Sequence, residues 1–129
     1  MEIAADLIEQ IVDHARREAP NECCGFIRLD GGDRAVEVLP VENKASSPLR
    51  FEVGPSDLLR LAELVDDGGA VIYHSHTRSE PRPSQTDINF AAGWPGVDWL
   101  IVGLAGEEPE LRHWRIADGA VTELEIRRA

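Results

Sequence analysis

A mixed α/β fold, one β-sheet flanked by helices, is what this sequence predicts, on three patterns. Apolar residues recur at helical spacing at Ile3, Ala4, Leu7, Ile8, Ile11, Val12 and Ala15, and again at Leu58, Leu59, Leu61, Ala62, Leu64 and Val65. Two short, continuous apolar runs, 70–73 and 99–103, have the pattern of strands buried on both faces. Hairpin signatures flank them: Cys24–Leu29 and Ala35–Val41 around Asp30-Gly31-Gly32-Asp33, then 111–117 and 120–126 around Asp118-Gly119.

In chain order, the first helix stops at Pro20, because the residue before a proline disfavours helix. The hairpin follows, then a loop over 42–50 rich in turn formers (Asn43, Ser46, Ser47, Pro48). A second helix starts after Gly54-Pro55 and ends at Asp66-Asp67-Gly68-Gly69. The run 70–73 leads to a third, short helix over 84–92, closed by Gly93 and Pro95. The 129 residues, without internal repeat or linker, are expected to form a single domain, 1–129.

Composition narrows the function. With 43% hydrophobic and 29% charged residues the chain reads as an ordinary globular protein. No apolar run approaches the roughly 18 residues a membrane helix needs. The first residues lack the basic and apolar regions of a secretory signal, so a cytoplasmic location is expected. A formal charge of −11 opposes a partnership with nucleic acid, which requires basic surface. Cys23 and Cys24 are adjacent and have no other partner; they are expected to be free thiols, at least one packed in the core, as in a reducing compartment.

The chemistry concentrates in residues 74–87. His74 and His76 end a central strand, where alternation sends both rings to one face and Ser75 to the other. Seven residues later come Ser84 and Asp87. Two imidazoles and a carboxylate suit zinc, and three protein ligands leave a fourth position for water. Ser84 is a candidate oxyanion donor. Ser-x-x-Asp at a helix start is also a capping box, so both readings stand for this pair. A general base is still required. Glu22 can serve if the strand after it lies beside the His74 strand, with Glu52 and Glu80 as competitors. His14 and His113 are expected to be surface or packing residues, and Trp94, Trp99 and Trp114 core or rim.

Glu22, then His74-Ser75-His76, seven residues, Ser84, two residues and Asp87 together resemble the full signature of the JAMM (MPN+) metallopeptidases. Glu22-Cys23-Cys24-Gly25 resembles that family's Glu-Cys-Gly-type segment, with Cys23 at its variable position. Residues 14–26, 43–48, 71–77 with 83–87, and 114–123 resemble one branch, the actinobacterial peptidases of a cysteine-biosynthesis sulfur carrier. The resemblance implies a sandwich like that of cytidine deaminases, although the deaminases' own His-x-Glu and Pro-Cys-x-x-Cys are absent. It implies one zinc ion on His74, His76 and Asp87, Glu22 as general base and Ser84 as oxyanion donor. The implied substrate is a ubiquitin-like sulfur-carrier protein with a C-terminal Gly-Gly tail, carrying a cysteine on its last glycine. Its tail could add as a strand to a sheet edge. Arg78 and Arg82, between the ligands, are candidates to bind the carboxylate of that cysteine. Another ubiquitin-like conjugate would suit the same chemistry. A non-catalytic MPN scaffold is disfavoured by the complete ligand set, and a DNA-repair relative by the charge and by His-Ser-His-Thr-Arg-Ser in place of His-Asn-His-Pro-Ser-Gly.

Overall fold

A computed structural model describes residues 1–129. In order the elements are β1 (Glu2–Ile3), α1 (Ala5–Glu18), β2 (Cys24–Leu29), β3 (Ala35–Val41), α2 (Pro55–Asp66), β4 (Ala70–His76), α3 (Gln85–Ala91), β5 (Asp98–Gly103), β6 (Glu110–Ala117), β7 (Ala120–Leu124) and β8 (Arg127–Arg128). Six strands form one sheet in the order β3-β2-β4-β5-β6-β7. Only β4 and β5 run parallel, joined through α3; the other neighbours are antiparallel. The mixed sheet expected from the sequence is therefore present.

Two cores fill the sandwich. α1 lays Ile8, Ile11, Val12 and Ala15 against Ile27, Val71, Tyr73, Leu100 and Val102. On the opposite face α2 and α3 supply Leu61, Leu64 and Ala91 against Phe26, Ile72, Trp99 and Ile101. Odd and even residues of each strand divide between the two sides, as the period of two requires. All seven positions of β4 are buried, which accounts for its unbroken apolar start. Cys23 and Cys24 divide likewise, one in each core, and both are free thiols. Burial pushes their pKa values up, to about 11 and about 12.

Two element ends differ from the sequence reading. The first helix begins at Ala5, not Ile3: Ile3 lies in β1, paired in parallel with β8, and Glu2 N donates to Asp33 O at 2.8 Å. Helical spacing could not separate Ile3, because it fills the same core that α1 covers. The chain after β7 is not one strand to Ile126; it breaks after Leu124 and resumes as β8 beside β1.

At the centre of the α1 layer, Tyr73 lies across Gly25, where a Cβ would run into its ring. The Tyr73 hydroxyl and His14 Nδ1 share a hydrogen bond of 2.7 Å, and burial holds the His14 pKa below its ordinary value. His14 and His113 are thus both packing residues, and buried.

An unfolded His14 takes a proton near pH 6.5 while the folded one resists it. Stability is expected to fall as pH drops below about 6.5, by at most about 1.4 kcal/mol per pH unit from this group. His14→Gln, which cannot titrate, should make that fall shallower in urea denaturation between pH 7 and 5. An unchanged slope would show that His14 titrates normally in the fold.

Candidate metal centre

β4 and β5 end at the same edge of the sheet, with His76 beside Gly103. β2 starts at that edge, Cys24 opposite His74. Cys24 and Phe26 share their face with Ile72, so extending the alternation by one pair brings Glu22 to the side of His74 and His76. Glu22 Oε1 lies 3.4 Å from His74 Nδ1. Glu22, His74 and His76 are all buried and offer ligand atoms within 4.8 Å of one another. From the other side, Asp87 Oδ2 comes within 3.0 Å of His74 Nε2.

Asp87 reaches that point because it closes the cap of α3. Ser84 N donates to Asp87 Oδ2 at 3.0 Å, and Asp87 N donates to Ser84 Oγ at 3.5 Å. The capping box is real, and the carboxylate that completes it also meets His74. The two readings of Ser-x-x-Asp describe one geometry. Ser84 itself is exposed at the mouth of the site.

His76 is oriented by the loop that follows it. Its Nδ1 sits 2.7 Å from the Glu80 carbonyl, which can only accept, so the proton is on Nδ1 and the Nε2 lone pair is free. The loop is held in turn by β6. Arg112 Nη1 bonds the Glu80 carboxylate at 2.6 Å, and Trp114 Nε1 donates to Pro81 O at 3.0 Å. Pro81 lies over Gly103, where a Cβ would stand 2.9 Å from its ring.

The other acids and the arginines divide. Glu52 pairs with Arg50 and Glu80 with Arg112, both at the surface, so neither reaches the histidines as Glu22 does. Arg82 stacks over Trp114 at 5.4 Å and is tied to the β6 side. Arg78 is exposed and forms no ion pair.

Sequence patterns alone missed three neighbours of the site. Phe51 stacks on the His74 ring at 4.7 Å, and Trp99 meets it edge-on at 6.0 Å. Asn43 donates to the carbonyls of Glu22 (2.9 Å) and Arg50 (3.1 Å) and accepts from the amides of Ala45 and Glu52 (3.0 Å each). The only signal for Asn43 was its place in a loop of turn formers.

Glu22 and Asp87, 5% and 1% exposed, place two carboxylates against a histidine that is itself 1% exposed. Buried charge of one sign requires compensation. Burial alone would lower the His74 pKa, but Asp87 and Glu22 outweigh it and push it up to about 10. Burial likewise works against charge on Asp87, but His74 outweighs it and holds the carboxyl below its ordinary range. A divalent cation supplies the same compensation and leaves the imidazole neutral, as ligation requires. His74 Nδ1, buried and without a hydrogen-bond partner, and the free Nε2 of His76 lie with Glu22 in a nitrogen and oxygen donor set that fits a metal. Asp87, the third ligand expected from the sequence, instead meets the other ring nitrogen of His74 and stands outside that cluster.

Residues 4–117 match the family of prokaryotic homologs of the JAB domain. The chain belongs to the JAMM/MPN family. It is 38% identical over 126 residues to the CysO-cysteine peptidase of Mycobacterium tuberculosis, covering 94% of this chain and 86% of that protein. It is 38% identical over 110 residues to the desampylase of Haloferax volcanii, covering 78% of each. A solution structure of a protein from Desulfitobacterium hafniense superposes with a TM-score of 0.79 at 32% identity, covering 100% of this chain and 93% of that one. A JAB1/MPN domain protein from Archaeoglobus fulgidus shares the fold at 21% identity, with a TM-score of 0.61 over 98% and 99% of the two chains.

Within this JAMM fold the β6 clamp fixes the loop between His76 and Ser84. Trp114→Phe keeps an aromatic side chain but deletes the donor to Pro81 and part of the buried indole. It is expected to cost at least about 1 kcal/mol of stability, from the lost hydrogen bond and the space left, and to speed amide exchange across 78–84. Unchanged exchange there would show that Arg112 alone holds the loop.

Proposed function

We propose that the protein is a zinc peptidase that hydrolyses the amide between the terminal glycine of a ubiquitin-like sulfur-carrier protein and an added cysteine, releasing cysteine. The observation that carries this reading is the meeting of two buried carboxylates, Glu22 and Asp87, on opposite sides of His74. The similarity to a CysO-cysteine peptidase over 94% of the chain supports the substrate. Relatives named desampylase and TtuB-protein conjugate cleaving protease support the wider class of protein conjugates.

In this reading His74, His76 and Asp87 hold one zinc ion, His74 through the Nε2 that faces Asp87. Asp87 suits a fixed ligand because its carboxylate is anchored by the Ser84 amide at the start of a helix. Zinc, when bound, polarises the substrate carbonyl and acidifies water. Glu22 takes the proton from the attacking water and returns it to the departing amine. Ser84 Oγ accepts from the Asp87 amide, which leaves its own proton free to donate to the oxyanion. Phe51 and Trp99 wall His74 from water. The carrier's Gly-Gly tail enters extended. The 129 residues act as one domain, and the two reduced thiols suit the cytoplasm.

With purified protein and a carrier–cysteine conjugate, Glu22→Gln is expected to keep one equivalent of zinc and lose 10²–10⁴-fold in turnover, as for a lost acid–base group. Asp87→Asn should release zinc. Near-normal turnover in the first variant, or stoichiometric zinc in the second, would overturn the assignment. A wild-type enzyme that spares carrier–cysteine yet cleaves a carrier linked to lysine would favour a different ubiquitin-like conjugate.

Of the two candidate arginines, Arg78 is the one left without a partner, while Arg82 is engaged with Trp114. Arg78→Ala should therefore raise KM for carrier–cysteine but not for the same conjugate with its terminal carboxylate amidated, and Arg82→Ala should affect both alike. Equal losses on both substrates for Arg78→Ala would assign selectivity to the carrier surface.

A further inference from the structure

We propose that Ser75, between the two histidines, is a positioning residue that sets Glu22 at the metal centre through the backbone of Cys23. β2 and β4 pair with Gly25 opposite Tyr73 and Cys24 opposite His74. The next pair is Cys23 with Ser75, and in a continuing antiparallel ladder each would give its N–H to the other's carbonyl. Only half of that exchange is made. Ser75 N donates to Cys23 O at 3.2 Å, whereas Cys23 N donates to the Ser75 hydroxyl, Oγ, at 2.8 Å. The ladder therefore ends on a side chain, one residue before Glu22.

The remaining backbone bonds of Glu22 go elsewhere. Its N–H donates to Ser47 O at 2.8 Å and its carbonyl accepts from Asn43 Nδ2 at 2.9 Å. Ser75 is thus the contact that ties this end of β2 to the histidine strand. Its side chain is fully buried, on the α1 side of the sheet, opposite the histidine face. It cannot touch substrate or metal and acts only through Cys23. Deleting the hydroxyl leaves the Cys23 amide two outcomes: to remain buried and unpaired, or to close on the main-chain carbonyl of residue 75. The first removes an anchor and loosens the segment, and the second shifts the backbone one residue from Glu22, whose oxygen lies 3.4 Å from His74 Nδ1. Misplacement of a catalytic group by an ångström costs on the order of 10²-fold in rate.

The inference rests on Glu22 as the proton carrier, and its test separates the two. Ser75→Ala, Ser75→Thr and Glu22→Gln are compared as zinc-loaded full chains on carrier–cysteine, with zinc content and the exchange rate of the Cys23 amide measured by NMR. Ser75→Ala is expected to hold one equivalent of zinc and keep KM, to lose about 10²-fold in kcat, and to exchange the Cys23 amide at least about tenfold faster. Ser75→Thr, which keeps the acceptor, should restore kcat to within a few-fold. If the alanine variant does not fold, Ser75→Cys takes its place, since a thiol is a weak acceptor of similar size and should lower kcat with zinc retained. Wild-type kcat in the variant that lacks the strong acceptor, loss of zinc from it, or failure of threonine to rescue would each overturn the role of Ser75. Full activity in Glu22→Gln would instead overturn the proton-carrier reading, whatever Ser75 does.

Discussion

The antiparallel pairing of β2 with β4, in the register that sets Cys24 against His74, is the constraint on which the site depends. A slip of one residue would turn Glu22 to the α1 side, away from both imidazoles. Burial excludes the slip, because β4 lies between two cores and each of its side chains has a designated side. Tyr73 strengthens the lock: its ring fits only over a glycine, and Gly25 is the residue this register places there. Hydrophobic packing thus fixes a polar geometry that no local interaction could fix, since Glu22 and His74 are far apart along the chain.

Around that register the electrostatics are arranged in two shells. The inner groups, Glu22, His74, His76 and Asp87, are buried, so each charge is felt at low dielectric and has to be balanced. The outer groups carry less charge but determine direction. The Glu80 carbonyl selects the tautomer of His76, the Ser84 amide aims Asp87, and Asn43 holds the Glu22 carbonyl. Arg112 and Trp114 extend the support to β6, so the terminal hairpin contributes to the orientation of a histidine two strands away.

The ends of β2, β3 and α2 were legible in the sequence because Gly, Pro and Asp punctuate them. The His-x-His pair was legible because strand alternation is local. Ile3 was not, since a two-residue strand leaves no period and its pairing with β8 joins the two ends of the chain. Glu22 could be nominated but not placed by residue chemistry, as strand order is a tertiary property. Phe51 and Asn43 were invisible for the same reason: one is an aromatic in a loop, the other a turn former, until the fold brings them to His74 and Glu22. Ser75 read only as a spacer pointing the wrong way. Its bond to Cys23 follows from where a ladder stops, and no sequence pattern marks that point.

The placement of Cys23, just before β2, and Cys24, its first residue, on opposite sides of the sheet gives the protein a built-in record of its own loosening. Each thiol is the sole one in its layer, and neither is accessible in the native fold. A pulse of alkylating reagent modifies Cys23 when the α1 layer lifts from the sheet, and Cys24 when the α2 and α3 layer does. The order of the two modifications, read by mass spectrometry of a single peptide, reports which half of the sandwich opens first.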